Sequence, residues 1–180
     1  MKTASTMSAE SYYQEQLRHA LTKVNWLRQG FPESPLAFLC HPIRDHDPVQ
    51  QRVNLLKMSE TIAWHNRETD LVVFNQLPFN AIFCPDDPQQ FDLKTEIFYR
   101  PLIAMCHLVL VAPGYERSSG CMKELEFSRL AGKSIYFLRE LEAVGGLGVS
   151  DSLEGIDFAG KEYFTKVPVE QRSAWHSLCF

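Results

Sequence analysis

Two carboxylates in the stretch GYERSSGCMKELEFSRLAGKSIYFL, residues 114–138, carry the first chemical question. Glu124 and Glu126 stand two apart near the start of a predicted helix. Helix neighbours lie three and four residues away, so Glu126 falls beside Lys123 and Arg129 on a solvated charge ladder. Glu124 has Cys121 and Phe127 at the same offsets and falls at the margin of the apolar stripe. Near a helix N-terminus a carboxylate gains roughly 0.3–1 kcal/mol from the dipole, which is a sufficient structural reason for an acid there. Its position gives a second reason: it follows a loop that leaves the carboxyl end of an apolar strand. Gly120 lets the backbone come close to a ligand, and Ser118 places a hydroxyl beside free amide donors, which suits a phosphate or sugar oxygen. Ser118 is equally well placed as a plain N-cap.

A second loop contributes a cation. Arg44 directly follows the apolar run PLAFLCHPI, where a guanidinium can hold a phosphate or carboxylate through two parallel hydrogen bonds. It can also pair at the surface with Asp45 or Asp47. His41, Asp45, His46 and Asp47 are metal-ligand types, but their spacing fits no metal motif, so no metal is expected. Cys121 near Glu124 has no evident histidine partner and reads as packing.

These side chains need elements to position them. Residues 9–29 read as a helix ended by Gly30 and Pro32. PLAFLCHPI is a buried strand bounded by prolines. Residues 48–66 read as a helix capped by Asp47 with Pro48 in its first turn. DLVVFNQ is a short strand, and CPDDPQQFD a surface loop. Residues 92–105 read as helix, kinked or restarted at Pro101. HLVLVAP is the third strand, SSGCMKELEFSRLAG a helix stopped at Gly132, and SIYFL the fourth strand.

Strands alternating with helices predict an α/β fold: a Rossmann-like parallel sheet of four or five strands flanked by helices, with an extra N-terminal helix. The expected layout is a single domain over 1–180. It divides into an N-terminal helical extension (1–34), an α/β core (35–140) and a C-terminal segment (141–180) docking on the core. Tyr163, Phe164, Trp175 and Phe180 would supply that docking. Sites on such sheets lie at the carboxyl ends of the strands, which selects the loops HPIRDHD and GYERSSG.

Composition bounds the partners. The 18 basic and 22 acidic residues leave a formal charge of −4, which provides no basic field for a nucleic acid polymer. Five scattered cysteines without CxxC spacing point to reduced thiols and a cytoplasmic protein. No apolar run approaches 18 residues, so no membrane span is expected, and the N-terminus does not read as a signal peptide.

The pattern Ser118-x-Gly120-x-x-x-Glu124, after an apolar strand and before a helix ending Ala131-Gly132-Lys133, resembles the nucleoside 2-deoxyribosyltransferase superfamily. That group includes deoxynucleoside 5'-monophosphate N-glycosidases, and the stretch is most similar to its phage-associated branch. Phe38-Leu39-Cys40-His41-Pro42-Ile43-Arg44 resembles the family's first strand and phosphate loop. The resemblance spans roughly residues 36–139. It implies that Glu124 attacks the anomeric carbon of a nucleotide or nucleoside. It further implies that Ile43, Arg44, Ser118 and Gly120 hold the phosphate or sugar end, that no cofactor is used, and that the protein is a homo-oligomer whose site a neighbouring subunit completes. The family places an aspartate on the helix before the third strand. Tyr99 and Arg100 occupy the closest register here, and Asp92 and Glu96, further back, are the candidate acids. TIR domains are a second resemblance: FLCHPIRDHD looks like their first strand and charged loop, and their catalytic glutamate, which cleaves NAD, falls at Glu124. A module that binds a nucleotide without turning it over is the alternative of a different class.

Overall fold

Four short strands lie in parallel in the order β2-β1-β3-β4: β1 Leu36–Cys40, β2 Val72–Val73, β3 Leu108–Val111 and β4 Ser134–Phe137. The computed structural model describes residues 7–44 and 47–138. Among the described residues five α-helices accompany the strands: α1 Ala9–Gly30, α2 Pro48–Glu68, α3 Gln89–Lys94, α4 Arg100–Met105 and α5 Ser119–Leu130. The α/β class, the parallel sheet and the N-terminal helix all agree with the pattern of the sequence. The 141–180 segment, with Tyr163, Phe164, Trp175 and Phe180, lies outside the described residues.

The strands read as unbroken apolar runs because both faces of the sheet are covered. Leu36, Phe38, Cys40, Val109 and Val111 pack with α1, α4 and α5, whose Val24, Leu27, Leu102, Ile103 and Leu125 complete that side. Ala37, Leu39, Leu108 and Leu110 face the opposite way, toward Met58 and Ile62 of α2. Register is set by Ala37↔Leu108 through Cys40↔Val111, so β1 and β3 end level with each other.

Local chemistry sets the helix boundaries. Ser8 caps α1 by accepting the Ser11 amide at 3.2 Å. Asp47 caps α2 by accepting the Val49 amide at 2.9 Å, and Pro48 fills the first turn, where its missing N–H costs nothing. α1 buries Tyr13, Ala20, Val24 and Leu27, a stripe at helical spacing. That stripe joins the core cluster of the sheet, so α1 is one of its covering layers. β2 is a two-residue edge strand whose outward side is closed by Asn66. That side chain accepts the Val73 amide at 2.6 Å and donates to the Val73 carbonyl at 3.2 Å.

The predicted 92–105 helix is three pieces. A π-helical turn, Thr95–Tyr99, separates α3 from α4 and is closed by the Arg100 amide on the Thr95 carbonyl. Pro101 follows at once in the first turn of α4. Proline cannot donate to Ile97 and its ring would press on that carbonyl in a regular helix. The wider turn before it lets the helix restart. Such turns are frequent at functional sites.

Among the described residues, no helix is long and apolar enough to cross a membrane. From β1 the chain passes to α2 on one face, and from β3 to α5 on the other. The two central strands therefore flank the point where connections diverge, which is where open parallel sheets form their crevice.

Candidate active site

A cleft of about 1180 Å³ opens at that point, lined by His41–Arg44 after β1 and by Pro113, Gly114 and Arg117–Cys121 after β3. Both loops selected from the sequence contribute to it. Gly114 holds φ +80°, a left-handed conformation that turns the chain out of β3 into a 3-10 turn, Tyr115–Arg117. Ser118 then caps α5, its Oγ accepting the Cys121 amide at 3.3 Å. The capping role is thus occupied, while the hydroxyl still borders the cleft. A β-carbon on Gly120 would meet nothing nearer than Ser118 Oγ at 3.7 Å, so packing within the chain does not demand a glycine there. Its bare backbone leaves space on the cleft side.

Glu124 lies one turn into α5, 7 % exposed, on the cleft wall. Glu126 is exposed, as its spacing predicts, although Lys123 pairs with Asp92 instead of with it. Burial raises the Glu124 carboxyl to about 7, opposed by a hydrogen bond from Cys40 and by the charge of Lys94. The Cys40 thiol is itself held protonated by its hydrogen bonding to Cys121, by burial and by the nearby carboxylate.

Lys94 is the residue that sequence reasoning missed. It is fully buried, yet borders the same cleft. Its ammonium donates to the carbonyls of Phe79 and Ala81, the latter at 2.9 Å. The rings of Phe98 and Tyr99, each 5.4 Å away, and Tyr13 at 6.0 Å surround it. Burial, and then the Arg44 charge, lower it to about 7, while Glu124 pulls the other way. Burial favours the neutral form of each partner and their mutual attraction favours the charged pair. Two groups with ordinary values six units apart thus meet near neutrality. A signal was available: Lys94, Phe98 and Leu102 are spaced four apart, so a lysine stood in phase with an apolar stripe.

The candidate acids fall elsewhere. Asp92 is exposed in an ion pair with Lys123, and Glu96 is exposed in an ion pair with Arg100. Neither lines the cleft. Residues two apart on a helix project to different sides, so the geometry that turns Lys94 inward turns both acids outward. Tyr99, at the family's aspartate register, does line the cleft, and burial and the Glu124 charge raise its phenol above its ordinary value.

Arg44 lays its guanidinium over the Phe91 ring, a pre-organised cation at the mouth. Asp45 and His46 lie outside the described residues. Ile43 packs against the α2 side of the core and also lines the cleft. Lys57 and Arg117 add positive charge, and Gln50, Gln51, Asn54 and Asn80 supply amide groups around one end. Burial lowers the His41 imidazole below its ordinary value, opposed by the Pro42 carbonyl 3.0 Å from its Nδ1. Among the described lining residues Glu124 is the lone acid. The arrangement is a single desolvated carboxylate set in a largely basic and amide-lined cavity of ligand size.

Comparison with known proteins adds no relative to this geometry: no protein-family model matches the chain, and no curated protein or solved structure matches it significantly.

Proposed function

We propose that this protein is an N-glycosidase or deoxyribosyltransferase-like enzyme acting on a nucleotide or nucleoside, with Glu124 as nucleophile. The observation that carries the reading is the placement of Glu124. It is a buried carboxylate in the crevice between the β1 and β3 loops, a cleft that Ser118 and Arg44 also line. In the proposed reaction a Glu124 oxygen attacks the anomeric carbon of the sugar. The bond to the base nitrogen breaks with its electron pair, leaving a glycosyl ester that water or an acceptor base resolves. The attacking carboxylate must be ionised, and the Lys94 ammonium supports that form. Arg44, Ile43, Ser118 and the amides near Gly120 are suited to the phosphate or sugar end. The departing base needs a proton or a hydrogen bond. With Asp92 and Glu96 outside the cleft, Lys94 and Tyr99, which line it and interact with Glu124, are groups able to donate one.

A non-catalytic nucleotide sensor is the second reading, and the lone acid in the cleft favours it, because glycoside cleavage commonly uses two carboxyl groups. A base-release assay over a panel of nucleosides, nucleotides and NAD separates the two. Turnover that falls by about three orders of magnitude or more in Glu124→Gln supports the enzyme. Thermal stabilisation by a nucleotide with no product, equal in wild type and variant, would overturn it in favour of the sensor. Release from NAD alone would instead move the substrate class to that dinucleotide.

A further inference from the structure

The thiols beside Glu124 have no part in the glycosidic chemistry. Cys40 is the last residue of β1, and Cys121 is in the first turn of α5, one helical turn before Glu124. The three lie 0, 3 and 7 % exposed. Their ligand atoms, two Sγ and one carboxylate oxygen, all fall within 4.8 Å of one another. Cys121 and Glu124 share one face because they are three apart on a helix, and Cys40 meets them from the strand end. The pairing of Cys40 with Val111 brings these distant segments together, since α5 begins a few residues after that strand partner.

We propose that Cys40, Cys121 and Glu124 form a binding site for a thiophilic divalent cation of the zinc class. Two sulfur ligands and one oxygen ligand make a donor set that zinc accepts, with bonds near 2.3 Å and 2.0–2.2 Å. Tetrahedral geometry with such bonds puts sulfur atoms about 3.8 Å apart, so side-chain rotations of about an ångström close the site. Cys121 and Glu124 both border the cleft, which leaves the fourth position facing it. That is the form of an open site able to take water or a ligand atom. Hard cations such as magnesium and calcium are disfavoured by the two thiols. Binding displaces the two thiol protons to the buffer and involves no redox change. Lys94 offsets part of the negative charge of the ligands, standing close enough to Glu124 to shift it. The site does not depend on turnover. If Glu124 is the nucleophile, the cation and the sugar compete for one carboxylate, and the cation acts as an inhibitor.

Cobalt(II) reports the site directly, because thiolate ligation gives a near-ultraviolet charge-transfer band and tetrahedral geometry strong visible bands. The full chain is titrated under reducing, oxygen-free conditions in a Cys84→Ser/Cys179→Ser background, which removes the exposed Cys84 and the C-terminal thiol. The expected result at pH 8, where the Glu124 carboxyl is largely ionised, is one cobalt bound, displaced by zinc, with about two protons released. Cys40→Ser and Cys121→Ser should each weaken binding at least 100-fold, and Glu124→Gln about 10-fold with the charge-transfer band kept. Circular dichroism and thermal unfolding of each metal-free variant establish that it is folded. As a second measurement on the unmutated chain, zinc should raise the unfolding temperature and a chelator should reverse it. Absence of the band at micromolar cobalt, or a band unmoved by Cys40→Ser and Cys121→Ser, overturns the proposal. So does a band that the unmutated chain gives and the Cys84→Ser/Cys179→Ser background lacks.

Discussion

Glu124 lowers the stability of the fold it sits in, and that is measurable. Its folded-state value of about 7 lies above the ordinary 4.5, so the folded chain holds this proton more tightly than the unfolded chain. The sign follows: the carboxyl is tolerated when neutral at low pH, and its ionisation penalises folding as pH rises from 4.5 through 7. Glu124→Gln is therefore expected to be more stable than wild type above pH 7, by an amount bounded on the order of 3 kcal/mol, with little difference below pH 4.5. Urea unfolding of both chains at pH 4.5 and 8, with chelator present, checks this. The gain follows from burial of the carboxyl and is expected whether or not Glu124 takes part in chemistry. His65 acts in the opposite direction. It is buried on α2 without a hydrogen-bond partner for its Nδ1, and burial lowers it to about 4. The unfolded chain binds its proton more readily, so stability is full above the ordinary value of 6.5 and falls as pH drops toward 4. His65→Leu should retain stability, on the order of 3 kcal/mol at most, that wild type loses between pH 6.5 and 4. Unfolding midpoints across that window, wild type against variant, are the check.

Among the elements, the edge strand β2 and the π-helical turn depend on single side chains. β2 has only two residues, and Asn66 satisfies both backbone groups of Val73 on the side away from β1. Asn66→Ala strands a buried N–H and a buried carbonyl, each costing about 1–3 kcal/mol. The variant should lose about 2–4 kcal/mol of stability, and the Val73 amide should exchange with solvent far faster than the amides of β3. Equal protection in both chains would show that water replaces Asn66 at no cost. The π turn was only half visible in advance. Pro101 announces that a regular helix cannot run through residues 92–105, but not how the break is made. A kink, a gap and an inserted residue all relieve the same clash. The inserted residue is the version that leaves Lys94 packed among Tyr13, Phe98 and Tyr99.

For the molecule as a unit, α1 is the decisive element. Its Ala20, Val24 and Leu27 cover Leu102 and Ile103 of α4 and one face of the sheet. Its Tyr13 accepts no lesser role: the hydroxyl receives the Phe83 amide at 3.1 Å and the ring faces Lys94. The sequence reads residues 1–34 as an N-terminal helical extension of the 35–140 core. A chain lacking them would expose the apolar side of α4 and leave β1 half covered. Such a truncation is expected to lose cooperative unfolding and to bind hydrophobic dyes, whereas a true extension would be removed with an unfolding midpoint shifted by less than a few degrees. Calorimetry and dye binding on the truncated chain distinguish these outcomes.

Local rules of the chain were enough for most of the elements and for the faces of α5, but not for the 92–105 stretch. Alternating apolar runs and capped helices determined a parallel α/β sheet. Proline and glycine marked the ends, and the phase of α5 alone separated buried Glu124 from exposed Glu126. These readings hold because a period of 3.6 or 2 is a property of consecutive residues. What surrounds Glu124 was decided only by the tertiary fold. Cys40 arrives from 84 positions away through the pairing of β1 with β3, and Lys94, in phase with an apolar stripe, meets Glu124 from 30 positions away through the packing of distant segments. Asp92 and Glu96 had the right chemistry and the wrong faces, while the intervening lysine had the wrong charge for the expected role and the right face. Which side chains share a cavity depends on strand order and helix packing between distant segments. The free energy that selects them is the burial of the whole core, not the preference of any short stretch.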